Sequence, residues 1–230
     1  MIKIRPSAER GYKKTTWLES WHSFSFADYY DPKHQNFRSL RVINQDIVQP
    51  ETGFGMHPHQ DMEILTFIIR GSLQHRDSLG NQGLINVGEM QRMTAGSGII
   101  HSEVNPSTTE PVELLQIWIF PSTQGLTPGY QQKSFALQNN SLQLLASSNG
   151  EQQSLLIHQD AAVYRGLLEK GQSLRYELSP QRGAWLQLIS GELQLNDDLL
   201  QKGDGAALEA ETLLLISAIT DSEFLLFDLA

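Results

Sequence analysis

Short apolar runs separated by polar, glycine-rich breaks set the character of this chain. LRVINQDIV (40–48), MEILTFIIRG (62–71), VELLQIWIF (112–120), AWLQLIS (184–190) and EFLLFDL (223–229) are all of strand length. Turn clusters such as Asp77-Ser78-Leu79-Gly80-Asn81 fall between runs of this kind. Many short strands closed by turns predict an all-β fold of sandwich or barrel type. No long apolar stripe of helical period is present, and Thr16 to Trp21 can supply at most a short helix.

The pattern also repeats. WLQLISGELQLNDDLLQKGDGAAL (185–208) follows EILTFIIRGSLQHRDSLGNQGLINVGEM (63–90) in placing strand, Gly, strand, turn and a second Gly in the same order, which predicts an ancient duplication. Between Pro121 and Asn149 apolar density falls while Gln, Asn, Ser and Gly accumulate, as in a connector. The expected domains are therefore 1–135 and 136–230.

A chain of 230 residues can bury two ordinary cores, and 40% apolar with 19% charged residues is the balance of a folded globular protein. The net charge of -9, with no compensating run of Lys or Arg, argues against direct nucleic-acid binding and against adhesion to anionic membranes. No window approaches the ~18 apolar residues of a membrane span, and MIKIRPSAERGYKK lacks the pattern of a secretion signal, so the expected location is cytoplasmic. Cysteine is absent. Disulfides, thiolate ligands and thiol nucleophiles are thereby excluded, and any metal must sit on His, Asp or Glu.

The chemistry concentrates in GFGMHPHQDMEILTFIIRG and, some thirty positions on, GEMQRMTAGSGIIHSEVNP. Side chains alternate faces along a strand, so His57 and His59 project together, as do His101 and Glu103. Two such strands facing each other offer three imidazoles and a carboxylate to one divalent ion, with coordination positions left open for catalysis. That donor set accommodates Fe, Mn, Co, Ni, Cu or Zn, with Fe(II) favoured. Glu63 competes with Glu103, because it shares parity with His59 at an H-x-H-x3-E spacing. Its expected role is to hold the second ring nitrogen of a ligand imidazole. Of the other histidines, His22 in WHSFSF reads as packed or hydrogen-bonded in the core, and His34 as a solvated loop residue. His75 reads as a half-exposed strand position, and His158, with no histidine two residues away, as no part of a second metal site.

These blocks, with SWHSFSFADYYDP (20–32), LRVINQD (40–46), LLQIWIFP (114–121) and, more weakly, IHQDAAVYRG (157–166), resemble the pirin family, and within it the bacterial pirin-like proteins with quercetinase activity. The resemblance implies a bicupin, two tandem jelly-roll-like cupin barrels. Only the N-terminal barrel would carry ligands, at His57, His59, His101 and Glu103, and the second would be structural. It implies a quercetin 2,3-dioxygenase that opens the heterocyclic ring of a flavonol with O2, with Glu103 also taking the substrate hydroxyl proton as general base. Its non-enzymatic alternative is a metal- or redox-responsive regulator working through a protein partner. A third is a cupin acting on some other small molecule. A monomer is expected, since two fused barrels can cover each other's apolar faces.

Overall fold

The computed structural model describes residues 1–230. Its regular structure is almost entirely strand, and it divides into two compact units, one of 11–136 with 157–159, the other of 1–10, 137–156 and 160–230. The expected split at 135/136 departs from this division in two places, since residues 157–159 group with 11–136 and residues 1–10 with 137–156 and 160–230. The first ten residues belong with the C-terminal unit, because the strand Ile2–Arg5 pairs with Gly205–Leu208.

The unit containing 11–136 is a jelly roll of two open sheets rather than a closed barrel. The larger sheet orders its strands Gly129–Ser134, Glu89–Thr94, Glu63–Arg70, Val112–Ile119, Leu40–Val48, Leu18–His22 and Gly11–Lys14. The smaller orders Gly53–His59, Ile99–Val104, Ser72–Asp77 and Gln82–Asn86. Two local expectations are corrected here. Leu18–His22 is a strand, not part of a short helix, because its backbone pairs on both sides with Gly11–Lys14 and Leu40–Val48. The presumed connector contains the strand Gly129–Ser134, whose polar, half-exposed side chains suit an edge position beside Glu89–Thr94.

Alternation within the larger sheet decides where chemistry is possible. One row runs across five strands through His22, Asn44, Gln116, Thr66 and Gln91, all polar and all buried. On one side of this row an apolar plug of Val48, Ile68, Leu73, Ile85, Val112 and Leu114 fills the space between the sheets. On the other, Ile64, Met93, Ala95 and Ile99 pack with Trp118. A polar belt held between two apolar plugs is costly unless it is satisfied or used.

The second unit has the same plan, with sheets of seven and four strands. Its interior is filled by Leu186, Leu188, Leu193, Leu195, Leu200, Leu214, Ile216, Phe224 and Leu226. Gly71 and Gly191 occupy matching places between consecutive strands of the two units, with φ of 79° and 84°. Glycine is the residue that adopts this conformation at little cost, which is why both halves carry it at the step from large sheet to small.

Candidate metal centre and cavity

The strand Gly53–His59 pairs with Ile99–Val104 so that His57 lies directly opposite His101 and Phe54 opposite Glu103. Ile99–Val104 in turn pairs with Ser72–Asp77, setting His101 opposite Asp77 and Glu103 opposite His75. Five titratable side chains thus share the inner face of the small sheet around the position of His101. The ring centroids of His57, His59 and His101 lie 4.4 to 4.9 Å apart. Their ligating nitrogens form one group within 4.8 Å, and His75, His101 and Glu103 form a second. The structure therefore brings the three predicted imidazoles together and sets Glu103 beside His101.

The hydrogen bonds fix the orientation of these rings. His57 Nδ1 faces the Gly55 carbonyl at 2.7 Å, so it carries the proton and Nε2 presents a lone pair. His75 Nε2 donates to Asp77 Oδ2 at 3.2 Å, leaving His75 Nδ1 to accept from His101 Nδ1 at 3.4 Å. His101 Nε2 is then also a lone pair, and it stands 3.0 Å from His57 Nε2. Two converging lone pairs repel unless a cation lies between them. Two nitrogens about 2.1 Å from one ion and at right angles would be about 3.0 Å apart, so the arrangement fits a divalent metal.

Electrostatics agrees with that fit. Burial, together with the neighbouring imidazoles, pushes His101 down to about 2 and His59 to about 4, so both are neutral and ready to ligate across the physiological range. Burial pushes the Glu103 carboxyl upward, against the hydrogen bonds that it accepts from Gln116 Nε2 at 2.7 Å and Thr66 Oγ1 at 3.2 Å. A cation beside it would offset the cost of that buried charge.

His75 departs from its sequence reading. It is fully buried rather than half-exposed, stacks on Tyr130 with centroids 4.7 Å apart, and joins Asp77 to His101. Burial alone would raise Asp77, but its hydrogen bonds from Asn81, His75 and the Leu79 and Asn81 amides outweigh that and hold it below the usual carboxylate range. Asp77 is thus a fixed anion orienting His75. Partners that orient ligand imidazoles typically carry ~10- to 100-fold in metal affinity. Replacing His75 by Ala, or Asp77 by Asn, is expected to weaken metal binding by about that factor, measured by competition with a chelator of known affinity.

Glu63 also departs from expectation. Its carboxylate does hold an imidazole, but that of His158, with Nδ1 3.3 Å away, and it accepts from Thr94 Oγ1 at 3.1 Å. Parity does not carry from His59 to Glu63 because Gln60-Asp61-Met62 forms a corner, Asp61 having φ of 48°, that takes the chain from the small sheet to the large. Within Glu63–Arg70 it is Thr66, of opposite parity, that faces Glu103. His22 is buried and bonded to Ser20 as expected, yet it also lines the cavity described next.

A cavity of about 320 Å³ opens beside these rings. Trp17, Leu18, Phe26 and Phe54 form its apolar wall, Ser20, His22, Asn44, Asp46 and Gln116 its polar floor, and His57, His59 and Glu103 one end. This size and mixture suit a flat, partly polar small molecule. Asp46, only 3% exposed, is pushed up to about 7, chiefly by burial. Its folded-state value lies above that of the unfolded chain, so the associated stability is present below about pH 4 and lost as the pH rises through about 7. Asp46→Asn is accordingly expected to melt higher than the parent at pH 8, with the gap closing toward pH 4, in thermal scans at both values.

Two jelly rolls in one chain, the first holding a histidine cluster at the end of an aromatic-walled cavity, define a bicupin with a metal-capable N-terminal domain. Comparison with known proteins is specific on this point. Residues 3–119 match the Pirin family model and residues 144–229 the quercetinase C-terminal cupin domain. The chain belongs to the pirin family. It is 46% identical over 230 residues to the quercetin 2,3-dioxygenase of Escherichia coli strain K12, covering 100% of this chain and 99% of that one. A pirin-like protein of Caulobacter vibrioides is 38% identical over 235 residues, with 100% of both chains covered. Among solved structures, the bacterial pirin YhhW of Escherichia coli in complex with nickel(II) superposes with a TM-score of 0.96 at 46% identity, over 100% of this chain and 99% of that one.

Proposed function

We propose that this chain is a metal-dependent dioxygenase that opens the heterocyclic ring of flavonols such as quercetin with O2. The observation that carries the reading is the aromatic-walled cavity ending on His57, His59 and Glu103. The name of the Escherichia coli relative, quercetin 2,3-dioxygenase, supports it. His57, His59, His101 and Glu103 would hold the ion, and three imidazoles with one carboxylate suit Fe(II). When bound, such an ion supplies Lewis acidity and a template that places O2 beside the substrate.

The chain's own groups do the rest. Trp17 and Phe54, whose rings meet edge to face at 5.2 Å, offer an apolar slot for a planar ring system and exclude water from it. Gln116 and Thr66 fix the Glu103 carboxylate, so that it enters as an oriented ligand. Trp118 meets the His59 ring edge to face, with centroids 4.9 Å apart. A cavity opening directly on the histidine cluster favours catalysis over a purely regulatory role, which needs no such volume. The test is loss of quercetin absorbance in air against its persistence under argon, with metal-loaded protein. Oxygen-dependent loss is expected, and none in either atmosphere would refute the reading.

A further inference from the structure

The strand Leu18–His22 sets Ser20 opposite Asp46 and His22 opposite Asn44 on the cavity floor. His22 Nε2 lies 2.8 Å from Ser20 Oγ, and Ser20 Oγ donates to Asp46 Oδ1. A hydroxyl has one proton to give. Since Ser20 gives it to Asp46, the contact with His22 must run from Nε2–H to Oγ, and the whole chain of bonds points at Asp46. A carboxylate can accept about four hydrogen bonds, yet Ser20 is the one side chain that donates to this one. Asp46 lines the cavity with accepting capacity to spare.

Its neighbourhood fixes what it would meet. Asn44, two residues along the same strand, is paired with Gln116, which holds Glu103. Asp46 and Glu103 line the same cavity, and the charge of Glu103 adds to the upward push on Asp46. Glu103 itself already accepts a hydrogen bond on each oxygen.

We propose that Asp46, backed by Ser20 and His22, is the catalytic residue that accepts the proton of the flavonol hydroxyl nearest the metal, in place of Glu103. The inference rests on the flavonol reading above. In the step, the substrate O–H bond breaks, an O–H bond forms on Asp46, and the electron pair stays on the substrate oxygen, making the ring electron-rich toward O2. The proton leaves Asp46 for solvent when product departs. The ionisation of Asp46 near pH 7 suits this task at cellular pH. The other charged or titratable groups around it are His22 on the neighbouring strand, Glu103, His57 and His59 at the metal end, and Lys13, which pairs with Asp28 at 2.9 Å.

The experiment uses metal-loaded protein and two probes, quercetin and the flavone that lacks its 3-hydroxyl. Their affinities are measured without oxygen, and kcat/KM for quercetin in air across pH 5 to 9. The parent should prefer quercetin. Asp46→Asn should cut that preference about tenfold or more and lower kcat/KM by about 10²- to 10⁴-fold, with metal content unchanged. Ser20→Ala removes a bond that lowers the Asp46 pKa, so the rising limb of the rate profile should move to higher pH. An unchanged preference and rate in Asp46→Asn, or an unmoved limb in Ser20→Ala, would overturn the assignment while leaving the flavonol reading intact. A parent that binds neither probe would overturn both.

Discussion

Alanine at both His57 and His59 is expected to empty the metal centre while leaving the fold in place. The two side chains are half-buried and belong to neither apolar plug, so their removal opens no cavity in the core. Loss of a ligand should cost at least the ~100-fold that an orienting partner can carry, so removing two should lower affinity by about 10⁴-fold or more. Metal analysis after gel filtration should find background levels in the variant and a stoichiometric amount in the parent. Near-identical circular dichroism would show that the loss is local. Metal retained by the double variant would move the site to the neighbouring group of His75, His101 and Glu103.

Gly53→Ala is expected to damage stability and metal binding together. A methyl group at Gly53 would lie 2.1 Å from the Glu103 carbonyl oxygen and 2.6 Å from Val104 Cα. Both are backbone atoms in a paired strand and cannot rotate aside. The strands Gly53–His59 and Ile99–Val104 must then separate, and they are the pair that sets His57 against His101. Overpacking of this kind costs about 1–3 kcal/mol, or several degrees of melting temperature in a chain of this size. Gly55 supplies the control on the same strand, since a methyl there meets nothing within 4 Å. Gly55→Ala should leave melting temperature and metal affinity close to those of the parent. Equal behaviour of the two variants in calorimetry and metal titration would contradict the account.

The contrast between what could be read from the chain and what could not follows the range of the interactions. His57 with His59 and His101 with Glu103 were legible because strand alternation is local and the residue types are chemically distinctive. The turn at Asp77 was legible for the same reason, and its side chain does accept from the Leu79 and Asn81 amides. His75 was not, because its burial comes from pairing with Ile99–Val104, some twenty-five residues on, and its own neighbours Gln74 and Arg76 suggest a wet strand. Glu63 misled because a corner resets parity, which spacing alone does not reveal. Asp46 and Gln116 looked like ordinary polar punctuation within apolar runs. The meaning of Gln116 lies in the row across five strands and that of Asp46 in its pairing with Ser20, and both depend on register between distant segments. The place of residues 1–10 in the C-terminal unit is likewise a matter of pairing and left no local signal.

The central claim, that the histidine cluster and its cavity form a dioxygenase site, is tested most directly with an oxygen electrode. Quercetin is added to iron-loaded parent and, in parallel, to the His57→Ala, His59→Ala variant treated identically. Oxygen uptake that matches quercetin consumption is expected in the parent and none above background in the variant. A fully metal-loaded parent that consumes no oxygen, or a variant that consumes it at the parent's rate, would contradict the claim.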